Sequence, residues 1–448
     1  MPYAPLNWRH CQYLHWCQMT IRVSPSTLRG EVQAPPSKSV MQRLVAGALL
    51  AEGTSTFYNI SQSDDCTSAL TLAAQLGADI ELDEERVRIT GTGGRLKPRT
   101  SKLTPGESGL AARLFTPIAG LADRPLEVFA EKSLRGRPMK SCEALFDAMG
   151  GRLSTTNGSF PLKLQSCMRG GDAALASPNS SQFITGMLFA MPLLSEDSSL
   201  TIKNPTSTPY IELTLEVLAD FGIQIETDDY SFFSCQAQQK FQSLEAVIDG
   251  DWSGAAALAV AAMIAAEESI AISGLNNNYT QADEAIRGAL LFAGGALSGI
   301  DDGIQVARRP VRTFQVDLNE SPDLFPVLAA LAAFSKGPSH LTGIGRLIHK
   351  ESNRAKAIQS AWNLLGIRVD LDATADTMTV YPWGINRPTG ITKLNPSGDH
   401  RMVMALSILA IGGAGPIEIE NAECVAKSYP EFFDDLETLG VKLRVVKK

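Results

Sequence analysis

Leu76-Gly77-Ala78-Asp79-Ile80 puts an apolar helix end, a glycine and the start of a strand into five residues, and the chain repeats this phrase six times. The other copies are Met149-Gly150-Gly151-Arg152-Leu153, Phe221-Gly222-Ile223-Gln224-Ile225, Ala293-Gly294-Gly295-Ala296-Leu297, Leu365-Gly366-Ile367-Arg368-Val369 and Leu439-Gly440-Val441-Lys442-Leu443. Their glycines lie 73, 72, 72, 72 and 74 residues apart. So even a period marks one supersecondary unit used six times. The glycine is the residue expected where a helix closes in the left-handed conformation before a strand.

A second series runs at the same period. Apolar helices begin near Lys38, Ser108, Ser180, Asp251, Ser321 and Asp399, and lead through a turn into strands such as Ser55–Ile60, Leu126–Phe129 and Pro416–Ile419. Each unit therefore reads strand, apolar helix, strand, amphipathic helix, two strands: a βαβαββ repeat of about 72 residues. Residues Ala255 to Ala266 are apolar nearly all round, so these helices should be buried with sheets packed about them. Six units exceed one ordinary core, which predicts two α/β domains of three repeats each. The first should be discontinuous, 19–34 plus 250–448, and the second should span 35–249. The chain would cross between them at Gln33 to Pro36 and at Asp249-Gly250-Asp251. Residues 1–18, with Trp8, Trp16, His10, His15, Cys11 and Cys17, show no periodicity and lack a signal-peptide pattern. They are expected to be a disordered or non-native extension ahead of the strand Met19–Val23.

Composition narrows the function. Of 448 residues, 44% are hydrophobic and 20% charged, which fits a soluble globular protein, and a net charge of -8 argues against general nucleic-acid binding. The seven cysteines have neither CxxC pairs nor metal-ligand spacing, which favours reduced cytoplasmic thiols over disulfides or zinc. No breaker-free apolar run reaches the length of a membrane span.

The first buried helix carries the chemical clue. Ala34-Pro35-Pro36-Ser37-Lys38-Ser39-Val40-Met41-Gln42-Arg43 blocks helix at the prolines, offers Ser37 as cap, and places Lys38 in the first turn with Arg43 beyond it. A cation there opposes the helix dipole unless an anion is bound, so this stretch should form one wall of an anion site. Polar residues crowd the other helix starts too: Glu107, Ser108 and Arg113; Ser180, Ser181 and Gln182; Asp251 and Ser253; Ser321 and Asp323; Asp399, His400 and Arg401. Any one of these could be ordinary capping, but six equivalent positive helix ends suit a multiply charged anion.

From Met19 onward these residues resemble the 5-enolpyruvylshikimate-3-phosphate synthase (3-phosphoshikimate 1-carboxyvinyltransferase) family. The matching motifs are Pro36-Ser37-Lys38-Ser39 with Arg43, Glu131 with Arg137-Pro138, Ser180-Ser181-Gln182-Phe183, Ser207 with Pro209-Tyr210-Ile211, and Pro322-Asp323. They continue with Lys350-Glu351-Ser352-Asn353-Arg354, Asp399-His400-Arg401-Met402 and Ala426-Lys427-Ser428-Tyr429-Pro430. The resemblance implies the two-domain inside-out α/β barrel of enolpyruvyl transferases. It also implies transfer of the carboxyvinyl group of phosphoenolpyruvate to the 5-hydroxyl of shikimate 3-phosphate in a closing interdomain cleft, on the route to chorismate and the aromatic amino acids. Lys38, Ser39, Arg43, Ser180, Ser181, Ser207, Asp323, Arg346 and Lys350 would hold shikimate 3-phosphate. Lys38, Gly109, Arg137, Gln182, Arg354, Arg401 and Lys427 would hold phosphoenolpyruvate.

Addition and elimination at an enol ether need protons moved at the attacking hydroxyl and at the methylene carbon. Asp323 is the candidate base, Glu351 the candidate acid and base at carbon with Lys38 assisting, and His400 a candidate for orienting Arg401 and the leaving phosphate. The resemblance implies no metal or organic cofactor, small-molecule partners only, and a monomer; Gly109 leaves room for the phosphonate inhibitor glyphosate. The chain departs from the family pattern Asn-Ala-Gly-Thr at Glu107-Ser108-Gly109-Leu110, where the added carboxylate should pair with Arg113 or Arg137. Arg346 is expected to replace a family asparagine. The alternatives are the related transferase acting on UDP-N-acetylglucosamine, which usually bears a loop cysteine that this chain lacks between Cys66 and Cys142, and a non-catalytic binding protein on the same fold.

Overall fold

The computed structural model describes residues 19–176, 180–385 and 387–446. The 1–18 extension lies outside the described residues. The chain divides into two compact units. One comprises Pro36–Asp249 with Asn278–Gln281; the other holds the described residues up to Pro35, then Gly250–Asn277 and the chain from Ala282 on.

Each unit contains three four-stranded sheets of one design: two parallel strands, then two antiparallel ones. The sheet of Lys102–Leu103, Leu126–Val128, Ser159–Ser166 and Arg152–Thr156 shows the plain form, with all four strands from one repeat. Two repeats exchange a strand. Glu31–Gln33 directly precedes the Lys38–Leu50 helix, yet pairs in parallel with Ser269–Ser273. Glu245–Val247 precedes the Trp252–Ala265 helix, yet pairs in parallel with Thr54–Tyr58. The last sheet is completed from the other end of the fold, because Thr20–Val23 lies antiparallel between Ile417–Ile419 and Leu443–Val446.

The six apolar helices are Lys38–Leu50, Gly109–Ala119, Gln182–Ala190, Trp252–Ala265, Phe325–Ala332 and His400–Gly412. In the second unit the last three pack against one another, and every residue of Trp252–Ala265 except Ile264 is buried. A face of alanines lets such helices approach closely. Each larger side chain fully withdrawn from water, such as Leu258 or Leu328, contributes about 1.5–3 kcal/mol. Ser37, Ser108, Asp251 and Asp399 cap their helices by accepting a backbone N–H. These polar starts are therefore structural as well as chemical.

All six repeat glycines lie in the left-handed region, with φ of +121° at Gly77, +72° at Gly150, +77° at Gly222, +87° at Gly294, +79° at Gly366 and +90° at Gly440. The expected strand at Ile223–Ile225 instead begins at Glu226. Gln239 explains the delay: its side chain accepts from the Gln224 N–H at 2.9 Å and donates to the Gln224 carbonyl at 2.9 Å, taking the place of a neighbouring strand.

A Cβ on Gly77 would sit 2.8 Å from the Lys97 carbonyl oxygen, whereas one on Gly366 would meet nothing within 4 Å. Gly366→Ala should therefore cost only the left-handed backbone, about 1 kcal/mol. Gly77→Ala should lower unfolding free energy in urea by roughly 3 kcal/mol, since rigid backbone must also move.

Candidate active site

In the second unit two buried-helix starts, the start of the Arg354–Leu364 helix and the end of the 3-10 helix Ala422–Lys427 bring together Asp323, Lys350, Glu351, Arg354, Asp399, Arg401 and Lys427. Asp323 sits in the 3-10 turn Pro322–Leu324, just ahead of the Phe325 helix. Its Oδ1 accepts from Arg354 Nη1 at 2.6 Å and Lys350 Nζ at 3.2 Å, and its Oδ2 from Arg401 Nη2 at 3.1 Å. Glu351 is bracketed in the same way, by Arg354 Nη2 at 2.7 Å on one oxygen and Lys427 Nζ at 3.2 Å on the other. Asp399, fully buried, receives Arg354 Nε at 2.7 Å and Ser352 Oγ at 3.2 Å, and caps its helix through the Arg401 N–H at 3.0 Å. Arg354, 1% exposed, thus donates to three carboxylates.

The electrostatics follow from this crowding. Burial works against ionisation of Asp323, yet Arg401, Lys350 and Arg354 outweigh it and hold the carboxyl well below the usual carboxylate range. Burial likewise lowers the Lys350 ammonium, with Asp323 opposing. His400 is buried at the start of its helix, its Nδ1 3.9 Å from Asp399 Oδ1 and so beyond hydrogen-bond reach of that oxygen. Arg346 donates through Nη1 to the Asn319 carbonyl at 2.9 Å.

The first unit gathers a second set. Lys38, in the first turn, reaches Asp65 Oδ2 at 3.0 Å. Arg43, one turn on, is 1% exposed and bonds only neutral oxygens: Thr214 Oγ1 at 3.0 Å, the Ser39 carbonyl at 2.7 Å, the Tyr210 carbonyl at 3.1 Å and Thr185 Oγ1 at 3.5 Å. Burial lowers its guanidinium to about 10, still charged at neutral pH, and it makes no ion pair among the described residues. A buried cation without a carboxylate is costly unless an anion visits. Ser180 Oγ accepts the Gln182 N–H at 3.3 Å, and Gln182 Oε1 accepts from Arg113 Nη1 at 3.0 Å. Ser181 is buried in the turn ahead of that helix. Ser207 adopts φ +57° immediately before Thr208–Asp220, a left-handed backbone unusual outside glycine. Arg137 leaves the 3-10 turn Lys132–Gly136 and lies against Gly109, where an added Cβ would come 2.6 Å from its Nη1.

With this geometry in place, comparison with known proteins is decisive. The family model for EPSP synthase (3-phosphoshikimate 1-carboxyvinyltransferase) matches residues 23–436. The chain belongs to the EPSP synthase family. Among relatives of that name, the protein of Clostridium botulinum (strain Alaska E43 / Type E3) is 33% identical over 427 residues, covering 94% of this chain and 97% of its own. That of Aeropyrum pernix is 32% identical over 427 residues, covering 95% and 96%. The fold agrees with the solved EPSP synthase from Acinetobacter baumannii, with a TM-score of 0.79 at 24% identity over 96% of this chain and all of that one. The enolpyruvyl transferase NikO from Streptomyces tendae gives 0.75 at 16% identity, covering 96% and 99%.

Within this EPSP synthase framework, the added carboxylate has a partner that the sequence did not suggest. Glu107 pairs with Lys132 Nζ at 2.7 Å. The reason is local: Glu131 N–H bonds the Gly106 carbonyl at 2.9 Å and Lys132 turns at φ +35°, which carries its side chain to Glu107 while Arg113 is engaged by Gln182. The sequence does not single out Asp65 and gives Asp399 no site role beyond its helix start, because an acidic residue at a helix start reads as a cap. Their signal is their place in the repeat, beside Lys38 and Arg401.

Removing Arg354 strands carboxylates in a buried site, so Arg354→Met should lower thermal unfolding free energy by roughly 3–5 kcal/mol at pH 7. The deficit against wild type should shrink as pH falls through the unfolded carboxylate range near 4, because protonation relieves the stranded charges.

Proposed function

We propose that these two clusters bind and turn over phosphoenolpyruvate and shikimate 3-phosphate, in the reaction named for the family. Two phosphates and two carboxylates enter, and the clusters supply Lys38, Arg43, Arg137, Lys350, Arg354, Arg401 and Lys427 to meet them. Ser39, Arg43, Ser180, Ser181, Ser207, Arg346 and Lys350 are assigned to shikimate 3-phosphate. Gly109, Arg137, Gln182, Arg354, Arg401 and Lys427 are assigned to phosphoenolpyruvate, with Lys38 serving both. The observation that carries this reading is the bracketing of Asp323 and Glu351 by cations on both oxygens.

The 5-hydroxyl oxygen bonds to C2 of phosphoenolpyruvate while its proton leaves to Asp323 and a proton reaches C3, making a methyl group. The C2–O bond to phosphate then breaks as C3 loses a proton, which restores the double bond. Glu351 is placed at C3, with Lys38 assisting and His400 near the departing phosphate. A carboxyl held as strongly acidic as Asp323 is a poor base while three cations grip it. Substrate anions that engage Arg354, Arg401 and Lys350 weaken that grip, so base strength rises when both substrates are bound. We also take the enzyme to work as a cytoplasmic monomer; the free thiols of Cys66, Cys142, Cys167 and Cys235 suit that compartment.

Coupled phosphate release tests the reading. Asp323→Ala and Glu351→Ala should each lose about 100-fold or more in kcat, and wild type should require shikimate 3-phosphate rather than a UDP-sugar. Near-normal turnover in either variant would refute the roles. Gly109→Ala should fold normally, because the Cβ meets the flexible end of Arg137. Its KM for phosphoenolpyruvate should rise about tenfold, as expected when one bidentate contact is displaced.

A further inference from the structure

Asp283 is a buried carboxylate that the reaction scheme leaves unused. It lies in the 3-10 turn Ala282–Ala285 and is 3% exposed. Its Oδ2 accepts from the Ser253 hydroxyl, in the first turn of the Trp252 helix. Its Oδ1 is buried with no hydrogen-bond partner among the described residues. A buried carboxylate oxygen left without a donor is costly and rarely kept without a use.

The turn packs on the Trp252 helix, which packs in turn on the helix carrying Arg401 and on the 3-10 turn carrying Asp323. The charges in electrostatic reach from these elements are Arg401, Asp323 and Asp251; Glu284, on the same turn as Asp283, pairs with Arg287 instead. Arg401 thus stands in the field of two carboxylates, touching Asp323 at 3.1 Å and attracting Asp283.

We infer that Asp283 is a positioning residue for the Asp323–Arg401 pair, its charge deciding how firmly Arg401 holds the Asp323 carboxylate. When Asp283 is ionised, Arg401 is divided between two anions and Asp323 is repelled by a second carboxylate, so Asp323 becomes the stronger base. When Asp283 is protonated, Arg401 belongs to Asp323 alone. Burial, with Asp323 and Asp251 adding to it and Arg401 and Ser253 opposing, raises Asp283 to about 6. The switch therefore falls just below neutral pH. The two carboxyls are driven in opposite directions by one environment, the pattern that separates acid and base roles in active sites.

This inference rests on Asp323 as the base, so Asp323→Ala is the control. The measurement is kcat/KM for phosphoenolpyruvate against pH, which reports groups of the free enzyme and in which substrate ionisation is common to all variants. Wild type should show an acid limb at about 6. Asp283→Asn keeps the shape and removes the charge; it should lose that limb and about fivefold or more of kcat at pH 7.5, with KM values within about twofold. Ser253→Ala removes a hydrogen bond to the ionised form, so its limb should move to higher pH. That second variant answers the question even if Asp283→Asn fails to fold. Unchanged limb and kcat in Asp283→Asn, or an unmoved limb in Ser253→Ala, would overturn the inference. If Asp323→Ala turns over normally, the base assignment has failed instead.

Discussion

Arg354 is the constraint on which the second unit's chemistry depends. One guanidinium, 1% exposed, donates at 2.6 to 2.7 Å to Asp323, Glu351 and Asp399 from three helix starts. Such a cluster is weak evidence for stability, since withdrawing each ion from water costs several kcal/mol that mutual attraction only partly returns. Its value lies in position. The rigid fork fixes Asp323 and Glu351 relative to each other, and a lysine could not span three carboxylates in this way.

Compensation is arranged differently in the first unit. Arg43 is as deeply buried, yet it is held by carbonyl and hydroxyl oxygens alone. Neutral acceptors orient a guanidinium without cancelling its charge, and the field stays available to a ligand. Lys38 is intermediate, paired with Asp65 and with a side chain still 14% exposed. The second unit counters its buried cations with internal carboxylates; the first leaves the charge of Arg43 uncancelled.

Much of this was legible in the sequence, for identifiable reasons. The repeat glycines were readable because a left-handed helix end leaves few choices of residue, and all six adopt it. The buried helices were readable from their unbroken apolar faces. The exchange of Glu31–Gln33 and Glu245–Val247 between sheets left no local mark, since either strand satisfies the same period-2 pattern wherever it pairs. At the site, cations stood out because they oppose the helix dipole, while Asp65 did not because an acid suits it. The pairing of Glu107 with Lys132 depended on a single left-handed turn at Lys132, which no lysine announces.

The central claim is that substrate anions take over the cations gripping Asp323 and so make it a base. The most direct measurement is the titration of the Asp323 carboxyl by carbon-13 NMR. It would be recorded in the free protein and with shikimate 3-phosphate plus an unreactive phosphoenolpyruvate analogue. The account predicts a midpoint well below the usual carboxylate range in the free protein and a clear upward move in the complex. A midpoint that stays put or falls on binding would contradict it.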